Sequence, residues 1–131
     1  MVCFDSTILI DILRGNKEAK KCIERYEEEN EEIMISSVCA MELMKGASFV
    51  SNFQKEELGI RELINQFTEI PFTHEIAFEA GKTDAELEKK GKMIQIEDIM
   101  VGVTAKVHGQ ILVTRNIKHL QLIRGLEVIG Y

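Results

Sequence analysis

Three acidic residues stand in apolar surroundings. Asp5 directly follows Val2-Cys3-Phe4, Glu42 is enclosed by Met41, Leu43 and Met44, and Asp98 lies between Ile96 and Ile99. A carboxylate so placed is costly to bury unless it is paired or binds a metal. One reason for all three is a nest for Mg²⁺ or Mn²⁺, hard cations that take oxygen ligands and leave room for water and a substrate phosphate. Such an ion activates a water and offsets charge on a phosphoryl group. The alternative is that Asp98 caps its own helix, where the macrodipole favours acids, and that Glu42 points to solvent.

Bringing these residues together requires particular elements. Val2, Cys3 and Phe4 show no polar alternation, as expected of a central parallel strand covered on both faces. Ser6 and Thr7 can turn or cap the backbone. Ile8, Leu9, Ile12 and Leu13 then follow at helical spacing, up to Gly15. Asp5 is thereby placed at the carboxyl end of a sheet, where open α/β folds build their sites. Ile33-Met34-Ile35 reads as a second strand, with Ser36 or Ser37 capping the helix that carries Glu42. Asp98 begins the helix before the third clear strand, Ile111-Leu112-Val113.

Elsewhere, Ala19, Cys22, Ile23 and Tyr26 share one helical face, and Glu27 to Glu32 read as a solvated helix end and loop. Phe53 to Phe67 fits two helices or one bent at Gly59. Thr68 to Pro71 resembles a brief strand with its proline at an end or edge. A helix is expected from about His74 to Lys89. Ile96, Ile99, Met100, Val103 and Val107 form an apolar stripe, and Leu126 to Ile129 can make a last strand. Short apolar runs separated by helices predict an α/β fold, a parallel sheet of about four or five strands with helices on both faces.

At 131 residues, 45% hydrophobic and 29% charged, the chain is expected to fold as one domain over residues 1–131. Its three cysteines lack C-x-x-C spacing and a histidine pattern for zinc, and buried reduced thiols are expected. No charged segment precedes a signal-like apolar stretch, and nothing approaches the ~20 apolar residues of a membrane span, so the expected location is the cytoplasm. A net charge of −6 argues against gripping nucleic acid through a basic surface. It does not exclude a nucleic-acid enzyme, because a cation held by carboxylates reverses the local sign.

The segments DSTILIDILRG, SSVCAMELMKG and IEDIMVGVTAKVHGQILVTRN, with the closing LIRGLEVI, resemble in order and spacing the motifs of PIN-domain ribonucleases, most closely the VapC-type toxins of toxin–antitoxin pairs. The resemblance implies a single-domain α/β/α sandwich and a Mg²⁺- or Mn²⁺-dependent endoribonuclease. By motif, its acids fall on Asp5, Glu42 and Asp98. A fourth position, often Asp in the family, falls on Asn116, which brings no negative charge and puts a second metal in question. Asp5 and Asp98 would hold the ion, Glu42 would position or deprotonate the attacking water, and Asn116 would orient water or a phosphate oxygen.

Ser6, Thr7 and Thr114 are candidate supports, with local backbone capping as their other reading. Arg14, Lys45, Arg115 and Lys118 accompany the motifs and are candidate phosphate contacts, or ordinary surface charge. His119-Leu120 replaces the Asp-Phe pair of many relatives. Asp11, six residues past Asp5 on the same helix, is expected to serve a helix surface or salt bridge, and Glu97 to point roughly 100° away from Asp98. The resemblance further implies an RNA substrate, a homodimer and a small antitoxin partner, whose arginine could compete for the acidic cleft. Two other readings stay open: a PIN nuclease of RNA maturation without an antitoxin, and a non-catalytic interaction module. An aspartyl-nucleophile phosphohydrolase is disfavoured because Thr7 stands where its second Asp would be.

Overall fold

A computed structural model describes residues 1–131. The chain runs β1 (Val2–Phe4), α1 (Ser6–Leu13), α2 (Lys17–Glu28), β2 (Ile33–Ser36), α3 (Ser37–Ala47), α4 (Phe53–Ile64), β3 (Thr68–Ile70), α5 (His74–Lys89), α6 (Ile96–Val107), β4 (Ile111–Val113), α7 (Ile117–Leu120) and β5 (Val128–Ile129). All strand pairs are parallel, in the order β3-β2-β1-β4-β5. The sheet is the expected one, with five strands and flanking helices.

Strand order decides where the site falls. From β1 the chain steps outward to β2 and β3, then crosses back to β4 on the other side of β1. The carboxyl ends of β1 and β4 therefore flank a topological switch point, the place where such sheets open a crevice. With right-handed crossovers, α1 to α4 cover one face and α5 and α6 the other. Alternation along the strands fits this. Phe4 packs its ring 5.9 Å from those of Tyr26 in α2 and Phe67 after α4, whereas Met34 joins the cluster of Ile76, Ile99 and Val103 from α5 and α6.

Local signals account for most boundaries. Asn16 caps α2 by accepting from the Ala19 amide at 2.9 Å, and the four residues of the expected apolar face of α2 are all buried. Of the two candidate serines, Ser36 caps α3, accepting from the Val38 amide at 3.1 Å. Gly59 does not interrupt α4, which is one helix; a Cβ there would meet only Leu13 Cδ2 at 3.9 Å. β3 stops before Pro71 at the sheet edge. β5 starts later than Leu126 because Gly125, at φ +80°, turns the chain and the Leu126 amide pairs with the Ile123 carbonyl. Ile96 is 48% exposed, outside the buried part of the α6 stripe. Cys3, Cys22 and Cys39 are unpaired and buried.

Candidate active site

Asp5 leaves β1 at the N-cap position of α1, yet its side chain caps nothing. Its amide continues the sheet by pairing with the Val113 carbonyl at 3.0 Å. The carboxylate is 1% exposed. Its Oδ2 accepts the Thr114 hydroxyl at 2.6 Å and the Thr7 hydroxyl at 3.1 Å, while Oδ1 is buried without a partner. The two threonines come from the ends of β4 and the start of α1, so the crevice itself fixes the orientation of Asp5.

Glu42 is half-buried, and its Oε1 is likewise buried and unpartnered. Burial, reinforced by the charge of Asp5 and opposed by the Ser6 hydroxyl, pushes its carboxyl up to about 7; Asp98 and Glu97 add to the rise. One helical turn earlier, α3 presents Cys39 on the same face. One ligand atom each of Asp5, Cys39 and Glu42 lie within 4.8 Å of one another. Burial, with Asp5 as the main neighbouring charge, drives the Cys39 thiol well above its ordinary range, so it is a neutral wall of the pocket.

Asp98 occupies the first turn of α6 but is not its cap; that position is Gln95, with no side-chain capping bond. Instead Asp98 Oδ2 accepts from Asn116 Nδ2 at 3.2 Å. Its carboxyl is raised by burial and then by the charge of Asp5, with His119 drawing it back. Asn116, at the start of α7, spends its side chain on Asp98 rather than on its own helix, and its amide donates to Thr114 Oγ1 at 2.9 Å.

The structure thus brings Asp5 and Glu42 together, with Ser6, Thr7 and Thr114 around them, and sets the Asp98–Asn116 pair beside them, outside the 4.8 Å cluster but near enough for the Asp5 charge to raise Asp98. Arg14 lies with Glu42, Ile10 and Leu43 along an apolar groove between α1, α3 and α4, and Lys45 with Glu42, Phe49 and Glu97 along a second groove. Arg115 is turned to Asp11, and Lys118 is exposed on α7. Two neighbours were outside the sequence-derived set. Cys39 was signalled only by its three-residue offset from Glu42. Glu97 stands close enough to raise both Glu42 and Asp98.

Two buried carboxylate oxygens without hydrogen-bond partners, in a cluster that raises its own pKa values, make a donor set suited to a hard divalent cation. The fold and site define a class: a parallel α/β protein with a carboxylate centre at its switch point. The sequence model of the PIN domain matches residues 2–124, and the chain belongs to that family. Among its relatives, Ribonuclease VapC1 of Rickettsia felis is 30% identical over 128 residues, covering 95% of this chain and 92% of that protein. The tRNA(fMet)-specific endonuclease VapC of Salmonella typhimurium is 26% identical, covering 80% of each. A crystal structure of VapBC2 from Rickettsia felis bound to a promoter DNA fragment contains a chain that superposes with a TM-score of 0.91 at 24% identity, covering 100% of this chain and 99% of that one. VapBC-1 from nontypeable Haemophilus influenzae gives 0.87 at 25% identity, over 99% and 98%.

Proposed function

We propose that the protein is an endoribonuclease dependent on Mg²⁺ or Mn²⁺, and the toxin of a toxin–antitoxin pair. The observation that carries the catalytic reading is the approach of Asp5 and Glu42 with Asp5 Oδ1 and Glu42 Oε1 buried and unsatisfied, and with Asp98 near enough to feel the Asp5 charge. The names of the relatives, ribonucleases and VapBC complexes, support the substrate and the pairing.

Asp5 and Asp98 would hold the ion. When bound, it supplies Lewis acidity toward water and offsets charge on the phosphoryl group. Glu42, whose carboxyl is raised by burial and by Asp5 in the metal-free protein, would be ionised beside a bound cation and so able to take a proton from the attacking water. The water oxygen bonds to phosphorus, the bond to the departing ribose oxygen breaks, and that oxygen takes a proton from solvent. Asn116 holds Asp98 and presents an uncharged amide to water or a phosphate oxygen. Arg14 and Lys45, which share grooves with Glu42, and the exposed Lys118 are the contacts for flanking phosphates under this reading, whereas the Arg115 guanidinium is taken by Asp11.

The partner under this reading is a small antitoxin. An apolar segment of it would occupy the groove lined by Ile10, Leu13, Leu43, Ala47 and Val50, whose lining includes Glu42, a carboxylate that a partner arginine would meet. The working form under this reading is a homodimer of a single-domain chain in the cytoplasm. Incubating the purified protein with labelled RNA tests the catalysis. Cleavage is expected with Mg²⁺ or Mn²⁺, none with EDTA, and almost none from Asp98→Asn. Metal-independent cleavage, or full activity of Asp98→Asn, would overturn the assignment.

A further inference from the structure

Asp11 lies on α1, 5% exposed and outside the acid cluster. Both its oxygens are 2.7 Å from Arg115 Nη1, and the Tyr131 hydroxyl donates to Oδ2 at 2.6 Å. The buried charge is therefore fully compensated. Arg115 is the middle residue of Thr114-Arg115-Asn116, the connection between β4 and α7. Its backbone amide donates to Thr7 Oγ1 at 3.0 Å. A single residue thus ties this connection to α1 twice, by its backbone at the first turn and by its guanidinium at the second.

The neighbours of Arg115 are the groups that orient the acids. Thr114 holds Asp5 Oδ2, and Asn116 holds Asp98 Oδ2. The Thr114 amide pairs with the Ile129 carbonyl at 3.0 Å, but the amides of Arg115 and Asn116 have only threonine hydroxyls as acceptors. No β ladder fixes those two residues. The ion pair to a rigid helix supplies the missing constraint.

We propose that Asp11 is a positioning residue: through its ion pair with Arg115 it anchors the turn Thr114–Asn116, and so holds the Asp5 and Asp98 carboxylates in the arrangement that binds the cation. The proposal rests on the metal-dependent nuclease reading. It also assigns the Arg115 guanidinium to the scaffold rather than to substrate phosphate. Groups that orient metal ligands affect metal affinity and turnover together, without touching substrate.

The test compares wild type with Asp11→Asn, Arg115→Gln and the conservative Arg115→Lys, well below their melting temperatures. Three quantities are measured: Mn²⁺ affinity by calorimetry, kcat and KM on a labelled RNA, and amide hydrogen exchange of the metal-free protein. Asp11→Asn and Arg115→Gln are expected to weaken Mn²⁺ binding and lower kcat by about 10- to 100-fold with KM nearly unchanged. They should also speed exchange at Arg115 and Asn116 but not at Leu9 or Leu112, and Arg115→Lys should recover part of each effect. Should Asp11→Asn fail to fold, the two Arg115 variants carry the comparison. Unchanged Mn²⁺ affinity and kcat, with only a lower melting temperature, would overturn the proposal. So would an Arg115→Gln effect confined to KM and its salt dependence, which marks a phosphate contact. A wild type that neither binds Mn²⁺ nor cleaves RNA would instead sink the nuclease reading, while amide exchange, measured without metal, would still decide whether Asp11 holds the turn.

Discussion

Thr114, at the end of β4, donates its hydroxyl to Asp5 Oδ2 across 2.6 Å, while the other oxygen of Asp5 is buried without a partner. The two residues are 109 positions apart in sequence, so the bond forms only once β1 and β4 pair. Thr114→Val keeps the shape and removes the donor. The Asn116 amide loses its acceptor as well. The expected result is Mn²⁺ binding weaker by about 10-fold or more and a stability loss of about 1 to 3 kcal/mol for the unpaired polar groups. Calorimetric titration and urea denaturation check the two parts, and unchanged metal affinity would show that Thr114 does not orient Asp5.

Burial and the Asp5 charge push the Glu42 carboxyl from 4.5 to about 7 in the folded, metal-free protein. The folded state therefore holds this proton more tightly than the unfolded chain does. Its contribution to stability is fully present below about pH 4.5, is lost as the pH rises to about 7, and is absent above that. Asp98 is shifted in the same direction. A cation offsets the crowded charge where it is greatest, so the rise in melting temperature produced by Mg²⁺ should be small at pH 5 and grow toward pH 8. Melting curves in Mg²⁺ and in EDTA across that range measure it, with Glu42→Gln flattening the dependence. A metal effect of equal size at both ends of the range would contradict the shared-charge picture.

Sequence periodicity was enough for β1, for the four buried residues of α2, and for the acids embedded in apolar runs, because each signal is local. What stayed illegible is non-local. Nothing in the residues around Asp11 indicates that its partners are Arg115 and Tyr131, 104 and 120 positions away. Cys39 reads as an ordinary core thiol until α3 docks it beside Asp5. Conversely, Asp98 has the position of a helix-capping acid, and only the arrival of α7 shows that Asn116 takes that carboxylate instead.

Gly102 has the same non-local character. In sequence it is a weak point in the middle of α6. In the fold, a Cβ there would lie 2.5 Å from Ile123 Cδ1 and 3.2 Å from both Leu120 Cδ2 and Leu126 Cδ2. Leu120 and Ile123 are buried, leaving little room to retreat. Gly102→Ala gains helix propensity yet overpacks this contact, and the net expectation is a loss of about 1 kcal/mol or more. A chemical denaturation midpoint at or above that of wild type would mean that the segment after α7 yields more easily than its burial implies.

Asn116→Asp tests the charge balance directly. Asn116 Nδ2 now donates to Asp98 Oδ2, and an ionised Asp has no proton to give. Two acceptors would face each other about where one hydrogen bond stood, inside a cluster that already raises Glu42 and Asp98. In EDTA the variant should therefore melt below wild type, and the carboxyls of Glu42 and Asp98 should rise further. With Mn²⁺ the added carboxylate becomes a further oxygen ligand, so the variant should regain stability and bind the ion more tightly than wild type. The size of the melting shift between EDTA and Mn²⁺ is the deciding quantity. A shift no larger than that of wild type would place residue 116 too far from the ion to share its charge, and would leave Asn116 as a clamp on Asp98 alone.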